Sequence, residues 1–253
     1  MKKIISNKTD YCRRTRVYFY IRRYQVIIFF LFFLVFGNVE IFSWAKKIVL
    51  PNYPYCAAIT FDDGPHPDYT EKILKILDNG QAKATFFVVG KMVERYPELA
   101  QEIVMEGHQI ANHTYDHIRL INLSQTQIVD QLERTRRILN QVCKVNTYYF
   151  RPPGGHYDQK VIEAFSLFQY QMVLWTVFPH DQADIDSAEL VERIIGKVRD
   201  RDIILLHSGV EVTLQALPSV IAQLKKKGFE LVTISELKTR EKDAKRTYAD
   251  LRS

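Results

Sequence analysis

Residues 57–65 read AAITFDDGP, an apolar run that ends in two adjacent aspartates and a Gly-Pro pair. The run from Ala57 to Phe61 is typical of a buried strand bounded by turn residues. Asp62 and Asp63 are neighbours in the chain, so their side chains point in different directions and suit two different roles. This stretch predicts a strand with two carboxylates held at its carboxyl end. Asp-Asp-Gly-Pro by itself is also a common turn sequence.

Further apolar runs alternate with amphipathic helical segments along the rest of the chain. The predicted strands are 57–61, 84–88, 109–111, 148–150, 172–175, 203–206 and 230–233. The predicted helices include 70–77, 93–105, 124–142, 158–168 and 187–198. Ser124 suits a helix N-cap, and Asp186 with Glu189 resembles a capping box. This alternation predicts an α/β fold, a (β/α) barrel, although an open doubly wound sheet would give similar local patterns.

Polar side chains able to take part in catalysis or metal binding follow the carboxyl ends of several predicted strands. They are Asp62, Asp63, His113, Arg151 and His207. In an α/β barrel these ends converge on one mouth, where active sites are built. We therefore expect these separate segments to contribute to a single site.

A pair of histidines, His113 and His117, lies four residues apart. On a helical turn two such imidazoles share a face and can bind one ion. Two imidazoles and one carboxylate leave positions open for water and substrate, as in a catalytic zinc or related divalent site. A lone histidine is more often a hydrogen-bonded structural residue. This pair therefore indicates a metal site only in combination with the other segments.

Two more segments fit a hydrolytic site. Residues 151–155 read RPPGG, in which prolines stiffen a loop and glycines let its backbone approach a ligand. Residues 203–207 read IILLH, an apolar strand ending in an imidazole that can donate a proton to a leaving nitrogen. A plain loop with an exposed Arg151 and a structural His207 are the alternatives for each segment taken alone.

Taken in order, these segments resemble the polysaccharide deacetylase family, the NodB-homology domain of carbohydrate esterase family 4, over about residues 55–237. The resemblance implies a deformed (β/α) barrel with fewer strands than the regular eight. It also implies that Asp63, His113 and His117 hold one divalent metal ion, most often zinc, with cobalt or nickel as alternatives.

The resemblance carries over further roles, residue by residue. Asp62 is expected to be the general base for the attacking water, and His207 the general acid that protonates the departing amine. Arg151 is expected to orient Asp62, while Asp181 orients either the acid histidine or the arginine. The substrate-binding residues are expected to be Gly154, through its backbone N–H, Leu205, which shapes a pocket for the acetyl methyl group, and Trp175. Trp175 is alternatively a core residue.

One motif departs from the family pattern, because Gln182 follows Asp181 where the family normally has tryptophan. This departure leaves the wall of the substrate cleft, and so the sugar preference, open. The expected reaction is hydrolysis of N-acetyl groups on an envelope or extracellular polysaccharide, peptidoglycan or a chitin-like polymer. Alternatives are an O-acetylated glycan, a small cyclic amide, or a catalytically silent, membrane-held glycan-binding protein.

The N-terminal part of the chain resembles an export signal. Residues 1–24 are basic, and residues 25–45 contain an unbroken apolar run from Val26 to Phe36. That run is too short to cross a bilayer, which takes about 20 residues, but extended to Trp44 it reaches that length. We expect either a retained signal anchor or cleavage after Ala45. Both place the following domain outside the cytoplasm, anchored at the membrane or secreted.

The distribution of charge bears on binding partners, and the cysteines bear on disulfide formation and metal binding. Residues 1–47 hold 10 of the 35 Lys and Arg but 2 of the 29 Asp and Glu, so the net charge of +6 belongs to the N-terminus. A nucleic-acid partner is therefore unsupported for the domain, residues 48–238, which precedes a charged C-terminal tail, 239–253. Cys12, Cys56 and Cys143 form no metal-like cluster. Cys56 and Cys143 either pair in an oxidising compartment or remain buried thiols.

Overall fold

The computed structural model describes residues 54–250, and the predicted basic region 1–24 and signal segment 25–45 lie outside them. Among the described residues, no helix combines the length and apolar character needed to cross a membrane. The described residues contain seven strands: β1 Tyr55–Gly64, β2 Ala84–Val88, β3 Gln109–Asn112, β4 Tyr149–Phe150, β5 Gln171–Met172, β6 Asp202–His207 and β7 Phe229–Leu231.

All strand pairs in the sheet are parallel, and their order is β5-β4-β3-β2-β1-β6, with β7 paired to the start of β1. β1 is central because it pairs with three strands. At its carboxyl end, Asp62 lies opposite Phe87 of β2 and His207 of β6. The sheet curls into a half-barrel, which confirms the predicted deformed barrel. The predicted base, Asp62, and the predicted acid, His207, therefore lie on adjacent strands.

Eight α-helices are present in residues 54–250: α1 Thr70–Asn79, α2 Gly90–Arg95, α3 Pro97–Met105, α4 Gln125–Cys143, α5 Gln159–Ser166, α6 Ser187–Ile195, α7 Glu211–Lys226 and α8 Ile234–Asp250. Short 3₁₀ turns span Leu120–Asn122 and Pro153–Gly155. Ser124 caps α4 in a capping box with Gln127, and the Asp186 side chain accepts from the Glu189 N–H at the start of α6. Residues 239–250 of the charged C-terminal segment belong to α8.

Alternating residues of the central strand face two different cores. Ile59 and Phe61 belong to the larger apolar cluster, which includes buried side chains of α1, α3, α6 and α7. Ala58 belongs to a second cluster with Phe87 and Ile203, on the opposite face of the sheet. Since Thr60 and Asp62 follow Ala58 at intervals of two, they project to the same face as this second cluster.

Several predicted elements were wrong in extent: the helices predicted over 158–168 and 187–198 end at Ser166 and Ile195, and the strand predicted over 230–233 ends at Leu231. Two further differences have an evident physical reason. The helix predicted over 93–105 is two helices, because Pro97 lacks a backbone N–H and keeps Tyr96 out of the helical region, at φ −130° and ψ 61°. The strand predicted over 172–175 ends at Met172. Beyond it the chain changes partners: Val173 N–H donates to Phe150 O, whereas Val177 already pairs with Ile204 of β6.

Cys56 and Cys143 are free thiols, so of the two alternatives for this pair the disulfide was wrong. Cys56 is buried and Cys143 half-buried. Burial raises the pKa of both thiols, that of Cys143 to about 11. Neither cysteine is therefore set up as a nucleophile, since the reactive form is the thiolate.

His108, at the start of β3, is expected to make the domain sensitive to acid. It is buried, and its Nδ1 accepts the Ala84 N–H at 3.3 Å. Burial, assisted by the charge of Lys83, lowers the pKa of His108 from 6.5 to about 4. The unfolded chain therefore takes up the proton first, and stability falls as the pH drops from about 6.5 to about 4.

Over that window the protonation of His108 is expected to cost about 3 kcal/mol of unfolding free energy, from about 1.4 kcal/mol for each pKa unit. Urea unfolding of the wild type and His108→Gln at several pH values measures this contribution. The variant is expected to show a shallower loss of stability between these two pH values. Curves that stay parallel across the window would show that His108 does not cause the effect.

Candidate active site

The site begins where β1 ends, at Asp62 and Asp63. The pairing of β1 with β2 shifts register between Asp62 and Gly64, and Asp63 adopts a left-handed backbone with φ 73°. This local irregularity separates the two neighbouring carboxylates. The Asp62 side chain is 5% exposed and that of Asp63 34%, so one lies under the mouth of the half-barrel and the other closer to solvent.

Asp63, His113 and His117 bring three potential metal ligands together. The Asp63 Oδ1 atom lies 3.4 Å from His113 Nε2 and 3.0 Å from His117 Nε2. One ligand atom from each residue fits within 4.8 Å of the others. Asp63 Oδ1 is also buried without a hydrogen bond of good geometry, although both imidazoles lie next to it. These three residues form a group that can hold a metal ion.

The tautomer of His113 supports the same interpretation. Its Nδ1 lies 2.8 Å from the Arg151 carbonyl oxygen, so Nδ1 carries the proton and donates it. The lone pair of Nε2 is then directed towards Asp63. Histidines that bind metals commonly donate their other ring N–H to a carbonyl or carboxylate in this way. The residues present therefore fit a divalent ion.

The two histidines do not lie on a helical turn, the geometry that their spacing would suit. Residues 113–117 form a loop after β3, in which Thr114 and His117 have left-handed φ angles of 69° and 58°. The two imidazole centroids are nevertheless 5.0 Å apart. A tight loop, rather than helical periodicity, brings the pair together.

The charges of this group are mutually dependent. Burial opposes ionisation of Asp63, but the neighbouring imidazoles of His113 and His117 outweigh it and hold the pKa of Asp63 well below its usual range. In turn, the Asp63 carboxylate raises the pKa of His117. A negative Asp63 facing two imidazoles is the charge state that attracts a cation to this point.

Arg151 is fully buried and pairs with Asp62, so the alternative of an exposed loop arginine was wrong. Its Nη1 lies 2.6 Å from Asp62 Oδ1, and Nη1 also donates to Thr60 Oγ1 at 2.8 Å. Its Nε donates to the Val173 carbonyl at 3.0 Å. The guanidinium also stacks 4.0 Å from the Phe87 ring centroid. Burial lowers the pKa of Arg151, while the charge of Asp62 opposes that change.

Asp181 is buried and holds His207 through two bonds. Its Oδ1 lies 2.8 Å from His207 Nδ1, and its Oδ2 accepts the His207 backbone N–H at 2.8 Å. Of the two predicted partners, the structure places Asp181 against the histidine rather than Arg151. Burial disfavours the imidazolium, but the bond and charge of Asp181 outweigh it and raise the pKa of His207.

Thr60 and Thr213 belong to the site, although the sequence analysis missed both. Thr213 Oγ1 donates to Asp181 Oδ2 at 2.7 Å, and Thr60 accepts from Arg151. Thr60 could have been found, since it precedes Asp62 by two residues and so shares its face of the strand. Thr213 lies 32 residues from Asp181, so no local pattern signals its contact.

The predicted substrate-binding residues lie on the neighbouring loops and strand. Gly154 has a left-handed φ of 65° and is exposed. Leu205 is buried in β6, two residues before His207. Trp175 is partly buried and packs against Gly155, where an added Cβ would lie 2.5 Å from the indole ring. Phe178 packs beside Trp175, with ring centroids 5.6 Å apart.

Comparison with known proteins supplies independent findings. A family model described as polysaccharide deacetylase matches residues 51–173. A peptidoglycan-N-acetylglucosamine deacetylase of Bacillus cereus is 36% identical over 193 residues, which cover 74% of this chain and 90% of the relative. A chitooligosaccharide deacetylase of Azorhizobium caulinodans is 31% identical, over 68% of this chain and 90% of the relative. The solved structure of the peptidoglycan deacetylase PdaC from Bacillus subtilis superposes with a TM-score of 0.74 at 32% identity, over 81% of this chain and 98% of that one.

Proposed function

This chain belongs to the polysaccharide deacetylase family of carbohydrate esterases, and we propose that it is a divalent-metal-dependent enzyme that removes N-acetyl groups from a peptidoglycan- or chitin-type polymer. The observation that carries the proposal is the convergence of three groups at one mouth. Each group lies at the carboxyl ends of parallel strands or in the loops that follow them. The three groups are Asp63–His113–His117, Asp62–Arg151 and Asp181–His207.

The names of the relatives support the substrate class. They describe deacetylases acting on peptidoglycan N-acetylglucosamine and on chitooligosaccharides. We assign the same class of acetylated polymer to this chain. The predicted signal segment 25–45 supports an extracytoplasmic location, at the membrane or after cleavage, because such polymers lie outside the cytoplasm.

Asp63, His113 and His117 would hold the ion. A set of two imidazoles and one carboxylate suits zinc best, and cobalt or nickel accept the same ligands. When bound, such an ion acidifies a water molecule and polarises a carbonyl oxygen. Gly154 would direct its backbone N–H at the developing oxyanion, and Leu205 and Trp175 would enclose the acetyl methyl group.

Asp62 is the group proposed to take the proton from the attacking water. Arg151 binds its Oδ1 atom, which leaves Oδ2 directed at the site, 3.6 Å from His113 Nε2. A carboxylate with one oxygen fixed and the other free accepts a proton at a defined point. Arg151 therefore acts on the reaction through the orientation of Asp62.

His207 is proposed to return a proton to the departing amine. Asp181 accepts from its Nδ1, so Nε2 is the nitrogen left for the substrate. The same carboxylate stabilises the protonated imidazole, and Thr213 holds the carboxylate in place from its other side. The division of labour is a base at Asp62 and an acid at His207, which are register partners on β1 and β6.

The proposal is tested by acetate release from purified full-length protein. Peptidoglycan, chitooligosaccharides and an O-acetylated glycan are supplied separately, each with chelator, with zinc restored, and with cobalt restored. We expect release from an N-acetylated polymer, at least about tenfold lower with chelator and recovered with either metal. His117→Ala should lose the recovery, whereas His156→Ala, on the exposed side of the neighbouring loop, should keep it.

Equal release with and without chelator from fully stripped protein would contradict metal dependence. Release from the O-acetylated glycan alone would replace the amide substrate by an ester. Both outcomes are measured as acetate release.

A further inference from the structure

The loop that carries both histidine ligands is held on its carbonyl side by α2, whose Gly90 and Lys91 N–H groups donate to the Thr114 and Tyr115 carbonyls, and on its N–H side by side chains. Three successive backbone N–H groups, those of Thr114, Tyr115 and Asp116, donate to side-chain amide oxygens. The left-handed φ angles of Thr114 and His117 are unfavourable for residues with a Cβ, and such conformations persist only where the surroundings enforce them. The side chains that bind these N–H groups, together with α2, therefore set the shape of the loop.

Gln131 of α4 binds two of the three. Its Oε1 accepts the Tyr115 N–H at 3.1 Å and the Asp116 N–H at 2.8 Å. Its Nε2 donates to Asp116 Oδ2 at 2.9 Å. Gln131 is 6% exposed, so this amide is removed from water and its three side-chain bonds all go to the one loop. A buried amide with partners on a single segment fixes that segment relative to the helix.

Asn112 binds the third N–H and anchors the other side of the loop. Its Oδ1 accepts the Thr114 N–H at 2.8 Å, while its Nδ2 donates to the Leu132 carbonyl at 3.0 Å. Leu132 follows Gln131 directly in α4. The same turn of one helix thus holds the loop from both sides, between the two histidines.

We propose that Gln131 is a positioning residue for the metal site, which sets the separation of His113 and His117 without contacting the ion. This inference rests on the proposed metal-dependent function. Gln131 acts through the loop between the two ligands, and loss of an outer contact that orients metal ligands typically weakens metal affinity by about 10- to 100-fold. Gln131→Met keeps the length of the side chain and removes all three hydrogen bonds.

The experiment measures zinc affinity directly, by competition with a chromophoric chelator, on purified full-length protein freed of metal. Gln131→Met is expected to bind zinc about 10- to 100-fold more weakly than the wild type. Gln131→Glu keeps the oxygen that accepts the Tyr115 and Asp116 N–H groups but places a second carboxylate next to Asp116 Oδ2, so its zinc affinity is also expected to fall. Gln141→Met is the matched control, because Gln141 is exposed on the same helix, and its affinity should stay within about twofold.

Thermal unfolding of the metal-free variants separates positioning from simple stabilisation. If Gln131→Met lowers the unfolding temperature of the metal-free protein but binds zinc like the wild type, the inference is overturned, because Gln131 is then only structural. The same holds if neither Gln131 variant changes zinc affinity. If the wild type itself binds no zinc, cobalt or nickel, the metal-dependent function fails first, and the Gln131 inference falls with it.

Discussion

Asp62→Asn is expected to lower the turnover number for acetate release by about 10²- to 10⁴-fold, the usual contribution of a positioned base. The amide has nearly the same shape as the carboxylate and can still accept from Arg151, so the site keeps its geometry. It cannot take up the proton from the attacking water. Steady-state rates, measured beside the zinc affinity of the same preparation, test this expectation.

The zinc affinity of Asp62→Asn should stay close to that of the wild type, because the group that can hold the metal is Asp63 with the two histidines. Asp68→Asn is the matched control: the same chemical change, six residues along the chain, at an exposed carboxylate. Full turnover of Asp62→Asn with metal bound would remove the base assignment. A joint loss of zinc and turnover would instead make Asp62 a ligand, since its Oδ2 already lies 3.6 Å from His113 Nε2.

Arg151→Met is expected to lower the free energy of unfolding by about 3–5 kcal/mol, the usual cost of leaving one partner of a buried ion pair alone. The Arg151 side chain is 0% exposed and that of Asp62 5%, so water cannot replace the lost partner. Such a loss is large against the total of about 5–15 kcal/mol typical of a domain. Urea unfolding of the full-length protein, followed by circular dichroism, provides the measurement.

A double-mutant cycle with Asp62→Asn identifies the cause. The double variant should be destabilised less than the sum of the two single variants, because removing both charges leaves neither one buried alone. Arg137→Met, which breaks an exposed ion pair with Glu133 on α4, is the control and should cost at most about 1 kcal/mol. Strict additivity of the two changes, or a cost for Arg151→Met no larger than the control, would show that the pair does not stabilise the fold.

Much of this site could be predicted without coordinates. The stretch from Ala57 to Pro65 indicated the strand and the two carboxylates, and β1, Tyr55–Gly64, extends the predicted strand 57–61 by a few residues at each end. Placement of the polar residues at strand ends was sufficient to gather Asp63, His113 and His207 at one mouth, because parallel strands share a direction. The strand and the position of the polar residues at its end can be predicted because both depend on the pattern of neighbouring residues in the chain.

Other features depended on the tertiary structure. The sequence left open whether Asp181 holds His207 or Arg151. After β5 the chain moves from β4 to β6, where Val177 pairs with Ile204, and this brings Asp181 to His207. The spacing of His113 and His117 would suit a helical turn, yet the two residues lie in a loop whose shape comes from contacts with α2 and α4.

The sequence by itself determined which residue types stand at the strand ends, and so the family. Only the tertiary structure decided the partners that hold them: Thr60 for Arg151, Thr213 for Asp181 and Gln131 for the histidine loop. The physical reason is that a strand or helix is selected by neighbours within a few residues, whereas a buried hydrogen bond joins whichever groups the packing brings within about 3 Å. Those groups stand anywhere in the chain, here 91, 32 and 15 residues apart.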